Sequence, residues 1–523
     1  MRTKILLIVL SAGAVCYHHN VDAVAVQQAE DSNAKPEKRE SLPSAKSGCK
    51  KYDESSQKRQ NDGLSQKQLL DRIRRGVVAI TVTAHEILEK YVNSKLWHGT
   101  GFLVDLGKGL IITNAHVAGE MSVCTYEVKF GNGQTAEATL AYCDPCYDFA
   151  VLRVKPSDIP AYCCPLVFSK IEPTINTTVY AMGNSSRKEF STYTGFIFDN
   201  ECVLSLKSVA EQSFQFSGLT VPGASGSPVL DEHGDVIGLL YGGKMISGAA
   251  LPISYIKHVI DALKEGETRR RYFYGFIIRY MPIQEAIIAG LLSKEAADEY
   301  EKHFPRANNK VLYVLKKLTA FESEELLPGD IIWKVEGELI GPNLKRIDEI
   351  VQNKKGKPLS MTIYREGKKK KITQKTFELS SAANMKLLSF AGTLFFGTTT
   401  DMLIEFGKTA QAVYIVESEA GSPFSDVTSP DDGSANGGAY QIVSINRRHI
   451  TTLEDVIAAI RELLESKIAV FEITYKRIFG DEAEHKVLAK FAPEFARATL
   501  YKYDIEKMRW AVEAIQNPQQ AGG

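Results

Sequence analysis

The sequence lacks both an excess of charge of one sign and a long hydrophobic run. It has 63 Lys and Arg against 63 Asp and Glu in 523 residues, so no overall field would draw it onto nucleic acid or an anionic membrane. The apolar run Ile5 to Val15 is shorter than the roughly 20 residues of a membrane span, and Ala23-Val24-Ala25 follows it in an A-x-A arrangement. The charge balance therefore predicts no nucleic-acid partner. The short apolar run predicts no stable membrane span and, with the A-x-A site, a cleavable signal over residues 1–25. We expect an exported protein, either periplasmic or secreted.

Cysteine is absent beyond Cys202, and no group of cysteines has the full spacing of a zinc site. Cys143-x-x-Cys146 lacks a second ligand pair, because the adjacent Cys163-Cys164 does not have the usual ligand spacing. We expect no metal and no cofactor. An exported compartment permits disulfides, so Cys143-x-x-Cys146 is interpreted either as a structural disulfide or as a pair of simply buried thiols.

Large apolar residues are almost absent from residues 26–68, which predicts a disordered polar linker. From about Leu69 the chain changes to short strand-like segments separated by Gly, Pro, Asn and Asp, such as Leu110 to Thr113 and Phe149 to Val154. Many short strands with turn signals between them are typical of an all-β barrel or sandwich.

An imperfect internal duplication follows Gly266. Leu327 to Gly337 is echoed by Gly438 to Asn446, and each copy precedes a helix-like segment and then a strand with alternating apolar residues. We interpret this as two copies of one α+β module. The last segment, from Arg497 to Gln516, has helical spacing and predicts a C-terminal helical tail.

Three motifs in the β-rich region carry residues suited to acyl transfer. That reaction needs a hydroxyl nucleophile, an imidazole base, a carboxylate that orients the base, and backbone N–H donors for the oxyanion. His116 follows an apolar strand, Asp148 opens another, and Ser225 lies in the glycine-flanked run Pro222-Gly223-Ala224-Ser225-Gly226. Each motif alone is weak evidence, but their order and strand contexts together make coincidence a poor explanation.

The strings T-N-A-H-V, D-F-A-V-L and G-A-S-G-S-P, in that order, resemble the protease domain of the HtrA/DegP family of trypsin-type serine proteases. The resemblance implies an all-β, chymotrypsin-like double β-barrel protease domain followed by two α+β PDZ-like domains. It makes His116 the general base, Asp148 its orienting carboxylate and Ser225 the nucleophile. The backbone N–H groups of Gly223 and Ser225 would form the oxyanion hole.

The nucleophile motif departs from the commonest bacterial pattern of this family, G-N-S-G-G, at Ala224 and Ser227. The form found here is closer to a divergent branch with fungal members. The residue six positions before the nucleophile commonly lines the specificity pocket in this fold, and here it is Leu219. This favours an apolar side chain before the scissile bond, unless the register of the loop slips.

The duplicated modules resemble the PDZ domains of the same family, in which a peptide adds as a strand to a sheet edge and its carboxylate meets backbone N–H groups. Tyr274, Gly275 and Phe276 resemble the carboxylate-binding loop, with Tyr274 in place of its first glycine. In the second module Thr393 to Gly397 is further from the pattern, so this module is expected to bind poorly or to act as a spacer.

The expected organisation is a signal peptide at 1–25, a disordered polar linker at 26–68, the trypsin-like protease domain at 69–265, PDZ-like domain 1 at 268–379, PDZ-like domain 2 at 385–492, and a C-terminal helical tail at 493–523.

The resemblance implies a serine endopeptidase that degrades or processes unfolded or damaged exported proteins in quality control under stress. Its PDZ-like modules would capture peptide C-termini, and it would assemble as a homo-oligomer, a trimer or larger. The alternative is a chaperone or scaffold that binds peptides with weak or silent proteolysis. The intact set of His116, Asp148 and Ser225 favours the enzyme.

Overall fold

The computed structural model of the protein describes residues 65–86, 96–119, 122–185, 188–202, 212–218, 222–244, 246–267, 270–305, 309–318, 321, 325–379, 386–398, 412–415, 418–419, 421–428, 440–466, 468–477, 483–490, 497–504 and 509–515. The predicted signal and nearly all of the predicted linker lie outside these residues. Within them, no helix is both long enough and apolar enough to cross a membrane.

Helix α1 (Gln66–Arg74) is the first helix of the described chain, and its first three residues fall within the predicted linker. Ser65 is its N-cap, and a reciprocal capping box with Gln68 satisfies two backbone donors that the first turn would otherwise leave free. The helix buries Leu69 and Ile73 against the β-rich domain. The prediction that residues 65–68 belong to the linker was therefore wrong, because it took their polar composition as disorder and missed the cap.

The first barrel is a closed sheet of six antiparallel strands in the order β1-β2-β3-β6-β5-β4. Side chains alternate between the two faces of a strand, and along β4 every second residue from Cys124 on is buried. The buried residues face the barrel interior. The strands are β1 (Val77–Glu86), β2 (Leu96–Asp105), β3 (Leu110–Thr113), β4 (Val123–Phe130), β5 (Thr135–Cys143) and β6 (Ala150–Val154).

The second barrel repeats this architecture in the order β10-β11-β12-β9-β8-β7, and helix α2 (Ser254–Glu265) follows it. Two closed antiparallel barrels confirm the predicted chymotrypsin-like fold. Its strands are β7 (Thr178–Ser185), β8 (Lys188–Cys202), β9 (Ser213–Ser217), β10 (Pro228–Leu230), β11 (Val236–Lys244) and β12 (Ser247–Pro252).

The first C-terminal module contains a sheet in the order β14-β15-β16-β18-β19, with β17 paired to β16, and a separate pair formed by β13 and β20. Its elements are β13 (Arg271–Phe273), β14 (Phe276–Pro282), α3 (Ile283–Ile288), α4 (Lys294–His303), β15 (Lys310–Lys317), β16 (Ile331–Val335), β17 (Glu338–Leu339), α5 (Leu344–Lys354), β18 (Leu359–Arg365), β19 (Lys368–Gln374) and β20 (Phe377–Leu379).

The second module has the sheet order β27-β26-β24-β23-β22-β21-β28-β29, with β25 paired to β24. Its elements are β21 (Lys386–Phe390), β22 (Thr393–Gly397), β23 (Val413–Ile415), α6 (Ser425–Thr428), β24 (Tyr440–Ile445), β25 (Arg448–His449), α7 (Leu453–Glu465), β26 (Val470–Arg477), β27 (His485–Lys490), β28 (Ala498–Asp504) and β29 (Arg509–Ile515).

The internal duplication is real at the level of topology. In the two copies, β16 and β24 each form a small hairpin with the next strand, precede a long helix, and then pair with β18 and β26. The apolar spacing of α5 and α7 buries one face of each helix, as the sequence predicted.

The predicted helical tail at 493–523 was wrong over its described part. Residues 498–504 and 509–515 form the antiparallel hairpin β28–β29, and β28 also pairs with β21. Pairing with a neighbouring strand outweighs a helical spacing that a segment of this length cannot enforce alone. The second module therefore extends to Ile515, beyond the predicted end at 492, while the other domain boundaries stay predictions.

Cys143 and Cys146 are both buried and form no disulfide with each other, so of the two alternatives for Cys143-x-x-Cys146 the structure has the pair of buried thiols. Burial raises the pKa of Cys146 and of Cys163 to about 12. Such thiols are inert toward metals and oxidants at neutral pH. The described residues contain no group of three or more His, Cys, Asp or Glu side chains that could hold a metal ion.

Candidate active site

His116, Asp148 and Ser225 are presented by loops at the ends of barrel strands. His116 follows β3 and Asp148 precedes β6, and these two strands pair with Thr113 opposite Ala150. The pairing brings His116 and Asp148 together on the first barrel. Ser225 lies in the turn before β10, on the second barrel.

The Asp148 carboxylate holds His116 at two points. Its Oδ2 lies 2.6 Å from His116 Nδ1, and its Oδ1 accepts the His116 backbone N–H at 2.9 Å. Asn114 donates its side-chain N–H to the Asp148 carbonyl at 2.8 Å and so fixes the backbone that carries the carboxylate. Asp148 has a side chain only 5% exposed, whereas that of His116 is 41% exposed. A buried carboxylate on Nδ1 makes that nitrogen the donor and leaves Nε2 as the acceptor on the open side of the ring.

The Ser225 turn needs glycine on both sides of the serine. Gly223 has φ 93° and Gly226 has φ 87°, a region that favours glycine. A Cβ on Gly226 would collide with the Thr100 carbonyl oxygen and would lie 2.7 Å from Thr113 Oγ1. The turn is thus seated directly against β2 and β3 of the first barrel.

Thr100, on β2, is the residue that holds this turn in place. Its Oγ1 donates to the Gly223 carbonyl at 2.8 Å, and its backbone N–H donates to the Ser225 carbonyl at 2.8 Å. Its own carbonyl accepts from Thr113 Oγ1 at 2.7 Å, three residues before His116. Thr100 is fully buried. One residue therefore connects the nucleophile turn to the strand that carries the base.

Ser227 fixes the remaining carbonyl of the turn. Its Oγ donates to the Ala224 carbonyl at 2.5 Å, and its backbone N–H donates to the same oxygen at 3.0 Å. Because a trans peptide is planar, the N–H of Ser225 points opposite to the Ala224 carbonyl. The serine that departs from the commonest bacterial motif thus orients one of the two predicted oxyanion donors.

The sequence reasoning assigned no role to Thr100, Asn114 or Ser227. Asn114 and Ser227 are part of the motifs T-N-A-H-V and G-A-S-G-S-P, and Thr100 lies between two glycines in Gly99-Thr100-Gly101, so each had a local signal in the sequence. Leu219, predicted to line the specificity pocket, lies outside the described residues.

We expect Thr100→Val to lower kcat/KM about 10- to 100-fold, because the Gly223 carbonyl loses its donor and the turn shifts. Thr100→Ser keeps the hydroxyl and should stay within about threefold of the parent enzyme. The measurement is kcat/KM on a chromogenic peptide ester.

The matched control is Ser213→Ala, which removes a fully buried hydroxyl of the second barrel that is bonded to Tyr241 and lies outside both the turn and the strand before His116. Equal losses in Thr100→Val and Ser213→Ala would show that only general stability had changed.

The predicted peptide-binding residues lie together at the start of the first module. Tyr274 and Phe276 are buried, and Gly275 has φ 81°. Gln374 donates its side-chain N–H to the Tyr274 carbonyl at 3.0 Å, and the Leu318 backbone N–H donates to the Gly275 carbonyl at 3.1 Å. The loop is a formed turn that leads directly into β14.

Two closed β-barrels, a buried Asp–His pair and a serine turn between glycines define a serine peptidase domain of the chymotrypsin fold. Residues 99–239 match the family model described as a trypsin-like peptidase domain. The chain therefore carries a trypsin-like serine peptidase domain.

Curated relatives extend the similarity beyond the barrels. The pro-apoptotic serine protease NMA111 of Pyricularia oryzae is 25% identical over 392 residues, which cover 72% of this chain and 36% of that protein. The protein of the same name from Chaetomium globosum is 26% identical over 392 residues, with the same two coverages. The chain thus spans little more than a third of the length of these relatives.

Solved structures with a similar fold include the HtrA-type protease AlgW with a tripeptide, at TM-score 0.46 and 21% identity over 61% of this chain and 98% of that one. Another is the Rv3671c protease from M. tuberculosis in its active form, at TM-score 0.32 and 24% identity over 38% of this chain and 85% of that one. The family match and the curated relatives confirm the serine-protease part of the resemblance: residues 99–239 form a trypsin-like peptidase domain, and the chain is similar to curated serine proteases.

Proposed function

We propose that this protein hydrolyses peptide bonds of unfolded or damaged exported proteins through an acyl-enzyme on Ser225. The observation that carries the proposal is that the buried Asp148 carboxylate contacts His116 Nδ1 on the first barrel. The same barrel also binds the Ser225 turn, through the backbone N–H of Thr100. His116 takes the proton of Ser225 Oγ as the oxygen attacks the substrate carbonyl, and later gives it to the leaving amine. The N–H groups of Gly223 and Ser225 stabilise the oxyanion. Water then releases the acyl group, and no cofactor takes part.

Capture of peptide C-termini by the first module belongs to the same proposal. Among the described strands, β14 is hydrogen-bonded only to β15, so its other edge is open to an added strand. Helix α5 runs beside it: Tyr280 of β14 donates its hydroxyl to the Pro342 carbonyl just before the helix, and Gln352 near the helix end bonds both backbone groups of Tyr272. These contacts support a groove between β14 and α5 that ends at the Gly275 loop.

The second module offers no equivalent edge. Its strand β22 pairs with β21 on one side and β23 on the other, and β21 is itself paired to β28. The position at which a peptide would add beside β22 is therefore occupied by the chain. This favours the expectation that the second module is a spacer.

We expect a C-terminal peptide with a photoactivatable group to crosslink to β14 or α5 and not to β22. The measurement is peptide mapping of the crosslinked full-length protein by mass spectrometry. The variant Ile278→Pro removes a backbone N–H and distorts the β14 edge, so it should weaken binding about tenfold or more. Phe395→Pro in β22 is the corresponding change in the second module and should leave crosslinking to β14 unchanged. Crosslinking at β22 in the parent protein would contradict the assignment.

Export and self-association complete the proposal. The layout of residues 1–25 supports export, and the resemblance to the HtrA/DegP family supports a homo-oligomer of three or more chains. Sizing the mature protein by light scattering and sequencing its N-terminus after expression with an export pathway test both points.

The experiment that tests the proposed activity treats purified mature protein with a fluorophosphonate probe and with casein. Labelling mapped to Ser225 together with casein cleavage supports the endopeptidase. If neither occurs even with C-terminal peptides present, the proposed activity is wrong for this form of the protein. The peptide-binding chaperone or scaffold then takes its place.

A further inference from the structure

Arg271 is a buried residue of the first C-terminal module whose charge lies between that module and the protease domain. It opens β13, yet its side chain is only 2% exposed. One guanidinium nitrogen donates to Asp348 Oδ1 of α5 at 2.8 Å, and another lies 3.8 Å from Asp144 Oδ2 of the first barrel. The guanidinium also lies over the Tyr147 ring, 4.4 Å from its centre.

Asp144 organises the segment that carries Asp148. Its Oδ1 accepts the backbone N–H groups of Cys146 and Tyr147 at 2.8 and 2.9 Å, and its Oδ2 accepts the Tyr142 hydroxyl at 2.8 Å. Asp144 is fully buried. A buried carboxylate that accepts two backbone N–H groups ties down the chain immediately before Asp148.

A buried carboxylate of this kind needs a cation, and Arg271 supplies it. Burial lowers the pKa of Arg271, but Asp144 and Asp348 raise it by more, so the guanidinium is charged. Burial raises the pKa of Asp348 while Arg271 lowers it. Tyr147, which lies under the guanidinium, is the residue next to Asp148. Two contacts of Arg271 with the protease domain, to Asp144 and Tyr147, therefore fall on the segment that ends at the Asp148 carboxylate. One guanidinium nitrogen also lies 3.5 Å from His258 Nε2 of α2.

We propose that Arg271 is a positioning residue for catalysis: from the first PDZ-like module it holds the 144–149 segment, and through that segment it places the Asp148 carboxylate on His116. Removal of the guanidinium takes the nearby positive charge from the buried Asp144 and the cation–π contact from Tyr147, which keeps its ring contact with Tyr255. The segment then loosens, and His116 loses part of its orientation. The inference deepens the proposed function and rests on it for its effect on turnover.

The test compares full-length Arg271→Met with Arg271→Lys and with two controls. Arg270→Met removes a neighbouring arginine that pairs with Glu378 on the surface. Arg365→Met removes a guanidinium that is bonded to the buried Asp330 within the same module. It therefore also breaks an ion pair with a buried carboxylate, but a carboxylate of the module and not of the protease domain. We expect Arg271→Met to lower kcat about tenfold or more with KM changed less than about threefold. Arg271→Lys should recover part of the loss, and both controls should leave kcat within about twofold.

A second readout needs no activity. Amide hydrogen exchange, measured by mass spectrometry in a Ser225→Ala background, should be at least about tenfold faster over residues 144–149 in Arg271→Met and unchanged in Arg365→Met. Unchanged exchange in Arg271→Met, or equal acceleration by both changes, overturns the inference. If the parent enzyme fails to label at Ser225, the proposed function fails, while the exchange experiment still decides whether Arg271 holds the segment.

Discussion

The change Ser225→Ala should lower kcat for casein cleavage on the order of 10⁶-fold, which takes it below detection. Ser225 Oγ is the atom that forms the acyl-enzyme, and without it His116 has no nucleophile to activate. Labelling by a fluorophosphonate should vanish with the same substitution. The turn itself should persist, because the anchors from Thr100 and Ser227 are made to the backbone carbonyls of residues 223–225 and not to the Ser225 side chain.

Ser213→Ala is the matched control, since Ser213 is a fully buried serine of the same barrel whose hydroxyl accepts the Tyr241 hydroxyl at 3.0 Å. It should keep labelling and turnover while losing some stability, on the order of 1 kcal/mol. Residual cleavage or labelling in Ser225→Ala above about 1% of the parent would mean that another residue is the nucleophile. The melting temperature of each variant separates loss of chemistry from loss of fold.

The active-site residues could be predicted because each lies at the end of a strand with a strong local pattern. His116 follows four buried residues of β3, and Asp148 precedes an apolar β6. In a barrel, the loops at the strand ends carry the functional side chains, and the strands hold those loops in place. The identity of the three residues could therefore be predicted from the sequence. The distances between them could not, because those distances depend on how the barrels fold.

Strands with mixed polarity could not be predicted in the same way. The sequence predicts no strand over β5, where small and polar residues leave few large apolar ones, nor over the mixed aromatic and polar residues of β8. Those strands are held by their neighbours in the closed barrel, and pairing partners distant in sequence leave little local signal. The tail hairpin β28–β29 was not predicted for the same reason, because β28 pairs with β21, which lies more than a hundred residues away in the sequence.

Ion pairs between residues that are distant in the sequence could not be predicted either, and those of Arg271 are an example. In the sequence it belongs to the basic run Arg269 to Arg271, beside the predicted boundary between the protease domain and the first module. Its carboxylate partner Asp348 is 77 residues away, and Asp144 lies in a different domain. Only folding shows that the third arginine of the run is buried while the second, Arg270, pairs on the surface.

The change Asp148→Asn should lower kcat about 10⁴-fold while leaving the fold intact. The amide keeps the shape of the carboxylate and can still accept the His116 backbone N–H through its oxygen. Its NH₂ group then faces Nδ1, so the ring takes the tautomer with the proton on Nε2. That tautomer cannot accept the proton of Ser225 Oγ, which is why an isosteric change costs several orders of magnitude.

The loss should appear in kcat for a peptide ester and in the rate of fluorophosphonate labelling, with KM nearly unchanged, because Asp148 is buried behind His116 and contacts no substrate. Asp105→Asn is the control: this aspartate of the first barrel accepts the Lys108 backbone N–H at a turn, and its amide should leave kcat within about twofold. A loss of less than about tenfold in Asp148→Asn would show that His116 is oriented by some other group. A large loss with an unchanged melting temperature means instead that the 2.6 Å contact between Asp148 and His116 acts on catalysis and not on stability.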